Sequence, residues 1–384
     1  MNTKEYKTFL NDCKDSIDEK PLNLSFDDFD DLSHSVFSNP QKIKQKASEI
    51  RKKFIDNIDE NLLIFERKFT ENGGKVHWCV SYDDFIDSLS ALLAKNKIKA
   101  VNTFSSRFNT ELGLDFSLKN EKIATLATDG KCAIFEPEFG IVNTGSLFSI
   151  FNSAYDMEIV MGSKLKIFII PINKFVCNIT EIDTISALLS IYRNQNDSPF
   201  LSSIFTPHSH TDSASHVFLI DNGRSNILAS KTHRKALWCI DCDACKRVCC
   251  VYNTIGEKPY NNVFTGPYAN VVLPFYENFD SYKHLSFNSV GCGYCARVCP
   301  VNIPLTDLMI ENRRFFFEKK IMDFDDVLLA SRMKKLLSSR GEMNKKSWIK
   351  KRKIRTFIKK SVLRTRSLPA FSKESFNVIR TKQQ

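Results

Sequence analysis

CIDCDACKRVCC, residues 239–250, and GCGYCARVCPVNIP, residues 291–304, decide how this chain is read. The first run places Cys239, Cys242, Cys245 and Cys249 in the order C-x2-C-x2-C-x3-C. That is the bacterial ferredoxin spacing, in which three thiolates wrap one cubane cluster on a tight loop and the fourth turns to a second cluster. Four-cysteine zinc sites instead pair two C-x2-C knuckles across a longer loop, typically about 15–20 residues. Consecutive x2 steps therefore favour iron and sulfide over zinc.

The second run repeats the last three positions as Cys292, Cys295 and Cys299 and ends in Pro300, as ferredoxin runs do. Cross-ligation then predicts the assignment: Cys239, Cys242, Cys245 and Cys299 for cluster I, with Cys249, Cys292 and Cys295 for cluster II. Cluster II is one thiolate short. Projecting the spacing backwards puts the missing ligand at Ser289, whose hydroxyl is a poorer iron ligand than a thiolate. Cys250 is the other candidate. It stands where the first run would normally carry proline and brings the clustered cysteines to eight, but adjacent side chains of an extended segment point apart. The expectation is two 4Fe-4S clusters, the second having a non-cysteine ligand or an open iron, being completed by Cys250, or reduced to 3Fe-4S.

The other four cysteines, Cys13, Cys79, Cys132 and Cys177, are scattered singly. A disulfide framework belongs to small secreted domains, whereas this chain has 384 residues, and its start, MNTKEYKTFLNDCKDSIDEK, is charged throughout. No uncharged apolar run approaches the roughly 20 residues that span a membrane. A soluble, cytoplasmic protein is expected. The formal charge of +11 resides in the C-terminal tail: residues 341–384 hold fourteen Lys or Arg and two Glu, a net of +12, so the first 340 residues sum to −1. KKSWIKKRKIRTFIKK is read as a solvated helical face, or as a contact for an acidic partner or the inner membrane face, with nucleic acid the weaker reading.

Upstream of the cysteine runs, strand and helix patterns alternate. After Asn39-Pro40, Ile43, Ala47, Ile50, Phe54, Ile58, Leu62, Phe65 and Phe69 form one apolar stripe, which predicts a single long helix ended by NGG at 72–74. KVHWCV, KAVNTF and KIFIIPI read as strands, YDDFIDSLSALLAKN and EIDTISALLSIYRN as helices, and EPEFGIVNTGSLFSIF as strand, tight turn, strand. SHVFLIDNGRSNIL is a strand running into a turn at Asn222-Gly223, and LTDLMIENRRFFFEKK starts a helical end. Alternation of this kind implies an α/β layer on a largely parallel sheet. The expected organisation is an N-terminal extension (1–39), an α/β domain (40–228), a mostly α-helical dicluster ferredoxin-type domain (229–315) and a basic helical end (316–384).

Two turns are candidate ligand sites. Asn143, Thr144 and Gly145 could present backbone N–H groups to an anion, or form a plain tight turn. Asp221 and Arg224 could hold a carboxylate, or pin the end of a strand. His208, His210 and His216 resemble metal ligands only loosely, and His77-Trp78 reads as packing. No G-x-G-x-x-G, P-loop or nucleophile–base signature occurs, and nothing resembles a flavin or nicotinamide site.

ENGGKVHWC, FGIVNTGSL, DNGRSNIL leading into KALWCIDCDAC, VFTGPYANVVLPF, CGYC-x3-CPVNIPL and SLPAFSKESF fall in the order seen in a known family. The chain resembles the B-type lactate-utilisation iron–sulfur proteins, which join a LUD domain to a dicluster ferredoxin module. The resemblance implies an α/β fold related to ribose-phosphate isomerase and CoA transferase domains. It also implies an electron-transfer role beside partner subunits that oxidise L-lactate to pyruvate, with an acceptor the sequence does not name. A three-cysteine second run is a trait of that family. The chain departs from the pattern at Asn143, where the family usually carries Glu, at Ser105-Ser106-Arg107, at the shortened Leu118–Cys132 stretch, and at Cys250 in place of Pro. Two rival readings remain: a zinc-stabilised nucleic-acid-binding protein, and a small-molecule enzyme of the LUD domain regulated by the clusters.

Overall fold

Seven consecutive buried residues, Leu165–Pro171, form strand β7 at the middle of the main sheet. The computed structural model describes residues 33–125, 131–194, 201–208 and 213–322, with isolated residues nearer the termini. The main sheet contains β1 (Lys75–Cys79), β2 (Ala100–Thr103), β3 (Ala124–Thr125), β4 (Cys132–Phe135), β7 and β10 (Ala214–Ile220). Their order is β1-β10-β7-β4-β2-β3, and every neighbouring pair is parallel.

The central strands are apolar on both faces because both faces are covered. Ile167 and Ile169 of β7, with Phe218 and Ile220 of β10, face one core, built with Phe85, Leu89 and Leu93 of the helix Tyr82–Lys95. Phe168 and Ile170, with Val217 and Leu219, face the other core. This is the period-two alternation of a strand dividing its residues between two layers.

A second, four-stranded sheet, ordered β8-β5-β6-β9, was not expected from the sequence. It is built from β5 (Phe139–Ile141), β6 (Ser146–Phe151), β8 (Phe175–Val176) and β9 (Leu201–Phe205). β5 and β6 are the predicted strand–turn–strand, antiparallel and joined by a 3-10 turn, Val142–Thr144.

The predicted long N-terminal helix is two helices, Pro40–Asp56 and Ile58–Glu71. The apolar stripe continues across both, but Asn57 leaves helical geometry (φ −128°, ψ 40°). Its side chain donates to the Lys53 carbonyl, and the Asn61 side chain donates to that of Phe54. Short polar side chains that take up backbone carbonyls in this way compete with the helical ladder, a local effect that the apolar period does not register.

From His233 to residue 304 the chain is short helices and 3-10 turns around one buried helix, Gly266–Tyr276, and the predicted helical end begins as the helix Leu305–Glu318. The chain therefore has a parallel α/β layer followed by a helical region carrying the cysteine runs. Residues 3–314 cluster into one compact unit, and residues 1–2 with 315–384 into another. The basic tail, apart from Gly341, Arg380 and Thr381, lies outside the described residues. Among the described residues, no helix is long and apolar enough to cross a membrane.

Candidate metal centre

The two cysteine loops have the same backbone. Asp241 (φ 55°) and Asp243 (φ 60°) flank Cys242 in left-handed geometry, and Gly291 (φ 75°) and Gly293 (φ 80°) flank Cys292 in the same way. Each loop then enters a short helix, Ala244–Arg247 or Tyr294–Val298. The N–H of Arg247 donates to Asp243 O at 3.2 Å, and that of Arg297 to Gly293 O at 3.1 Å. Left-handed residues on both sides of the middle cysteine curl the loop so that three consecutive ligand positions face inward.

Two hollows result. Cys239, Cys242, Cys245 and Cys299 line one, closed over by Arg107 and Tyr268. Cys249, Cys250, Ser289, Cys292 and Cys295 line the other. Each hollow draws residues from both runs. Cys249 caps the helix Cys250–Ile255, and Cys250 is its first residue. The two are therefore not neighbours in an extended strand, and both reach the same hollow, contrary to the expectation that they point apart.

The donor set fits iron–sulfur clusters. All twelve cysteines are free thiols. Burial pushes Cys242 up to about 12, with Cys299 beside it adding to the rise, and burial with neighbouring thiols raises Cys239 and Cys245 well above the ordinary range. Four sulfurs crowded into a desolvated hollow need a cationic core before they can all be thiolates. Backbone N–H groups already point at sulfur, from Asp241 to Cys239 (3.4 Å), Ile303 to Cys299 (3.3 Å) and Tyr252 to Cys249 (3.4 Å). Among the described residues, no three His, Cys, Asp or Glu side chains converge at single-ion spacing.

The first hollow abuts an ion-pair network. Asp241 receives Lys174 at 2.5 Å and Arg107 at 3.2 Å, and Arg107 also reaches Asp243 at 2.6 Å. Burial alone would raise the Asp241 carboxyl, but these cations outweigh it and hold the group far below the usual carboxylate range. Arg193 forks onto Glu138 at 2.7 and 2.8 Å and donates to the Asp241 carbonyl at 3.1 Å. Glu136 lies beside the network with Arg107 and Lys174. Burial pushes its carboxyl up to about 7 against the Ser106 hydrogen bond and the pull of Lys174. Of these charges, Arg107, Glu136, Glu138 and Lys174 sit just beyond β2, β4 and β7, at the carboxyl ends of parallel strands, the usual place for polar function in open α/β sheets. Sequence reasoning missed Glu136, Glu138, Lys174 and Arg193; the only local signal was the charge in EPEFG and the Asp residues inside CIDCDAC.

Of the remaining sequence candidates, Arg224 lines the hollow beside Glu136 and Lys174, and the others lie elsewhere. At the Asn143–Gly145 turn, the Asn143 and Gly145 N–H groups donate to the Cys177 and Val142 carbonyls, and Asn72 donates to Thr144 O at 2.9 Å. Arg224 is buried and forks onto Glu111 at 2.8 Å through both Nη atoms, while Asp221 accepts from the Ser225 N–H at 2.7 Å. His77 Nε2 and His216 Nδ1 are 2.8 Å apart, with the His77 ring stacked on Phe218. His210 lies outside the described residues.

The family profile for the 4Fe-4S dicluster domain matches residues 235–303, which include all eight clustered cysteines and Ser289. The lactate utilization protein B of Bacillus cytotoxicus is 30% identical over 237 residues, covering 59% of this chain and 50% of the relative. That of Macrococcus caseolyticus is 28% identical over 228 residues (56% and 48%), and that of Bacillus thuringiensis 28% over 241 residues (60% and 50%). The chain spans about half the length of these curated relatives. No solved structure matches it. This chain is thus a relative of the lactate utilization B proteins that carries an iron–sulfur domain of the 4Fe-4S dicluster type.

Proposed function

We propose that the chain is the iron–sulfur electron-transfer component of a multi-subunit oxidoreductase that converts L-lactate to pyruvate. In this reading residues 40–228 form the α/β domain, 229–315 the dicluster domain and 316–384 a basic end that meets an acidic partner or membrane face. Cys239, Cys242, Cys245 and Cys299 hold a 4Fe-4S cluster I, and Cys249, Cys292 and Cys295 hold cluster II. The observation that carries the reading is the pair of hollows, each lined by cysteines of both runs. When bound, the clusters would supply one-electron transfer.

The protein's own residues divide the two ends of the relay. The first hollow is walled by Arg107, Asp241 and Tyr268, where fixed charge tunes potential and water is kept out. At the second, Cys292 and Val290 of the lining are exposed, as is Tyr294 at the start of the following helix, and this side faces the redox partner. Lactate oxidation to pyruvate releases two electrons and two protons. A partner subunit takes the pair, and this chain passes the electrons on one at a time to an acceptor.

Anaerobic purification with iron, sulfide and EPR analysis tests the cofactor. Two clusters' worth of iron and sulfide, with interacting signals after dithionite reduction, is expected; colourless, zinc-loaded protein would overturn the reading. The lactate link is tested on the complex isolated with its partner subunits. EPR should show cluster reduction by L-lactate, and clusters reducible by dithionite but silent to lactate would remove that substrate.

A further inference from the structure

We infer that Ser289, through its side-chain oxygen, supplies the fourth protein ligand of cluster II, and that Cys250 does not ligate it. This rests on the proposed binding of two clusters.

An offset of 50 residues superposes the two loops in sequence: Cys242, Cys245 and Cys249 correspond to Cys292, Cys295 and Cys299, and Cys239 corresponds to Ser289. The structure keeps that correspondence at the level of individual bonds. The Asp241 N–H donates to Cys239 Sγ at 3.4 Å, and the Gly291 N–H donates to Ser289 Oγ at 3.2 Å. The donor is in each case the left-handed residue before the middle cysteine. A hydrogen bond of this kind aims the Ser289 oxygen as its counterpart aims the Cys239 sulfur.

The hollows correspond as well. Cys239 and Ile240 line the first where Ser289 and Val290 line the second, and Cys299 and Pro300 line the first where Cys249 and Cys250 line the second. Cys250 therefore stands in the place of Pro300, which has no ligand atom. Its thiol lies in hydrogen-bonding contact with Cys292, itself one of the assigned ligands, whereas Ser289 has the hydrogen-bonded position of Cys239. The two loops differ in chemistry and not in shape. On ligation the Ser289 hydroxyl gives its proton to solvent as oxygen bonds iron. An oxygen ligand holds iron less firmly than a thiolate, which makes this the labile corner of the cluster.

The test uses the full chain purified anaerobically, as wild type, Ser289→Cys, Ser289→Ala and Cys250→Ser. Each is treated with mild ferricyanide and followed by iron count, EPR and Mössbauer spectroscopy of iron-57-enriched protein. Wild type should lose one iron and gain the EPR signal of a three-iron cluster, and before oxidation one Mössbauer iron site should differ from the rest. Ser289→Cys should keep that iron and merge the distinct site with the others. Ser289→Ala should hold three irons in cluster II from the outset, and Cys250→Ser should match wild type. Loss of iron in Cys250→Ser with Ser289→Ala unchanged would overturn the inference, as would wild-type behaviour in both Ser289 variants. The signal of cluster I in the same samples separates the outcomes. If it persists, only the Ser289 assignment has failed; if wild type shows neither cluster, the proposed function fails with it.

Discussion

Arg51 Nε donates to the Trp238 carbonyl across 3.1 Å, tying the helix Pro40–Asp56 to the residue immediately before Cys239. The same guanidinium donates to Leu237 O at 3.0 Å and to the carbonyls of Asn173 and Phe175 at the start of β8. Arg51 is fully buried, and burial pushes its pKa down to about 10, which leaves it charged at neutral pH. A single cation thus joins the N-terminal helix, the small sheet and the entry to the first cysteine loop. It can do so because a planar guanidinium offers five donors in a fixed fork.

Replacing Arg51 by Met should destabilise the chain by about 3–5 kcal/mol, since several buried carbonyls lose their donor together. Arg51→Lys should recover only part of this, because an ammonium cannot fork. Urea denaturation of the three proteins is the measurement. Equal stability of wild type and Arg51→Met would show that water satisfies those carbonyls.

Arg107→Gln removes a positive charge from the wall of the first hollow, leaving Asp241 paired with Lys174. A reduced cluster is then less well stabilised, and the potential of cluster I should fall by on the order of 50–100 mV, the scale of one charge several ångströms away at an effective dielectric near 20. Redox titration followed by EPR reads this, with cluster II as internal reference. A fall of the same size in both potentials would point to a general change in fold.

Glu136 carries a pH signature. Its folded pKa, about 7, is raised above the ordinary 4.5, mainly by burial, so the fold favours the protonated form. The stability it contributes is fully present below about pH 4.5 and is lost as pH rises through about 7. Glu136→Gln should remove that slope and make the variant more stable than wild type at pH 8. Thermal melts across this range decide it; parallel curves for the two proteins would show that Glu136 stays ionised.

Gly145 has φ +60°, and a Cβ there would come within 2.5 Å of the Lys68 and Phe69 backbone. Gly145→Ala should cost about 2–5 kcal/mol, combining left-handed strain with overpacking against a helix that cannot give way. Melting temperature is the readout, and Gly113→Ala, also left-handed but with open space around it, should cost only about 1–2 kcal/mol.

Much of the proposed metal centre is legible in the chain itself, for a physical reason. Ligand spacing within a loop of eleven residues is a local property, and Cys239 to Cys249 and Cys292 to Cys299 declare it without reference to anything distant. The parallel sheet was legible on similar grounds, because the cores of β7 and β10, Ile167–Ile170 and Val217–Ile220, are buried on both faces and apolar throughout. The break at Asn57 was hidden, because the apolar period runs through it and only a side-chain-to-carbonyl bond reveals it.

Tertiary structure alone decided what surrounds the cysteines. Arg51, Arg107, Lys174 and Arg193 come from four separate stretches of chain, and no spacing rule brings them to Asp241 and Trp238. Their pairing follows from the packing of the α/β layer against the cysteine loops, which takes these charges out of water and obliges each to find a partner. The sequence also left several answers open for the missing ligand, among them Ser289, an open iron, a three-iron cluster and Cys250. Ser289 and Cys250 differ in the three-dimensional correspondence of the loops: Ser289 occupies the position of Cys239, and Cys250 that of Pro300.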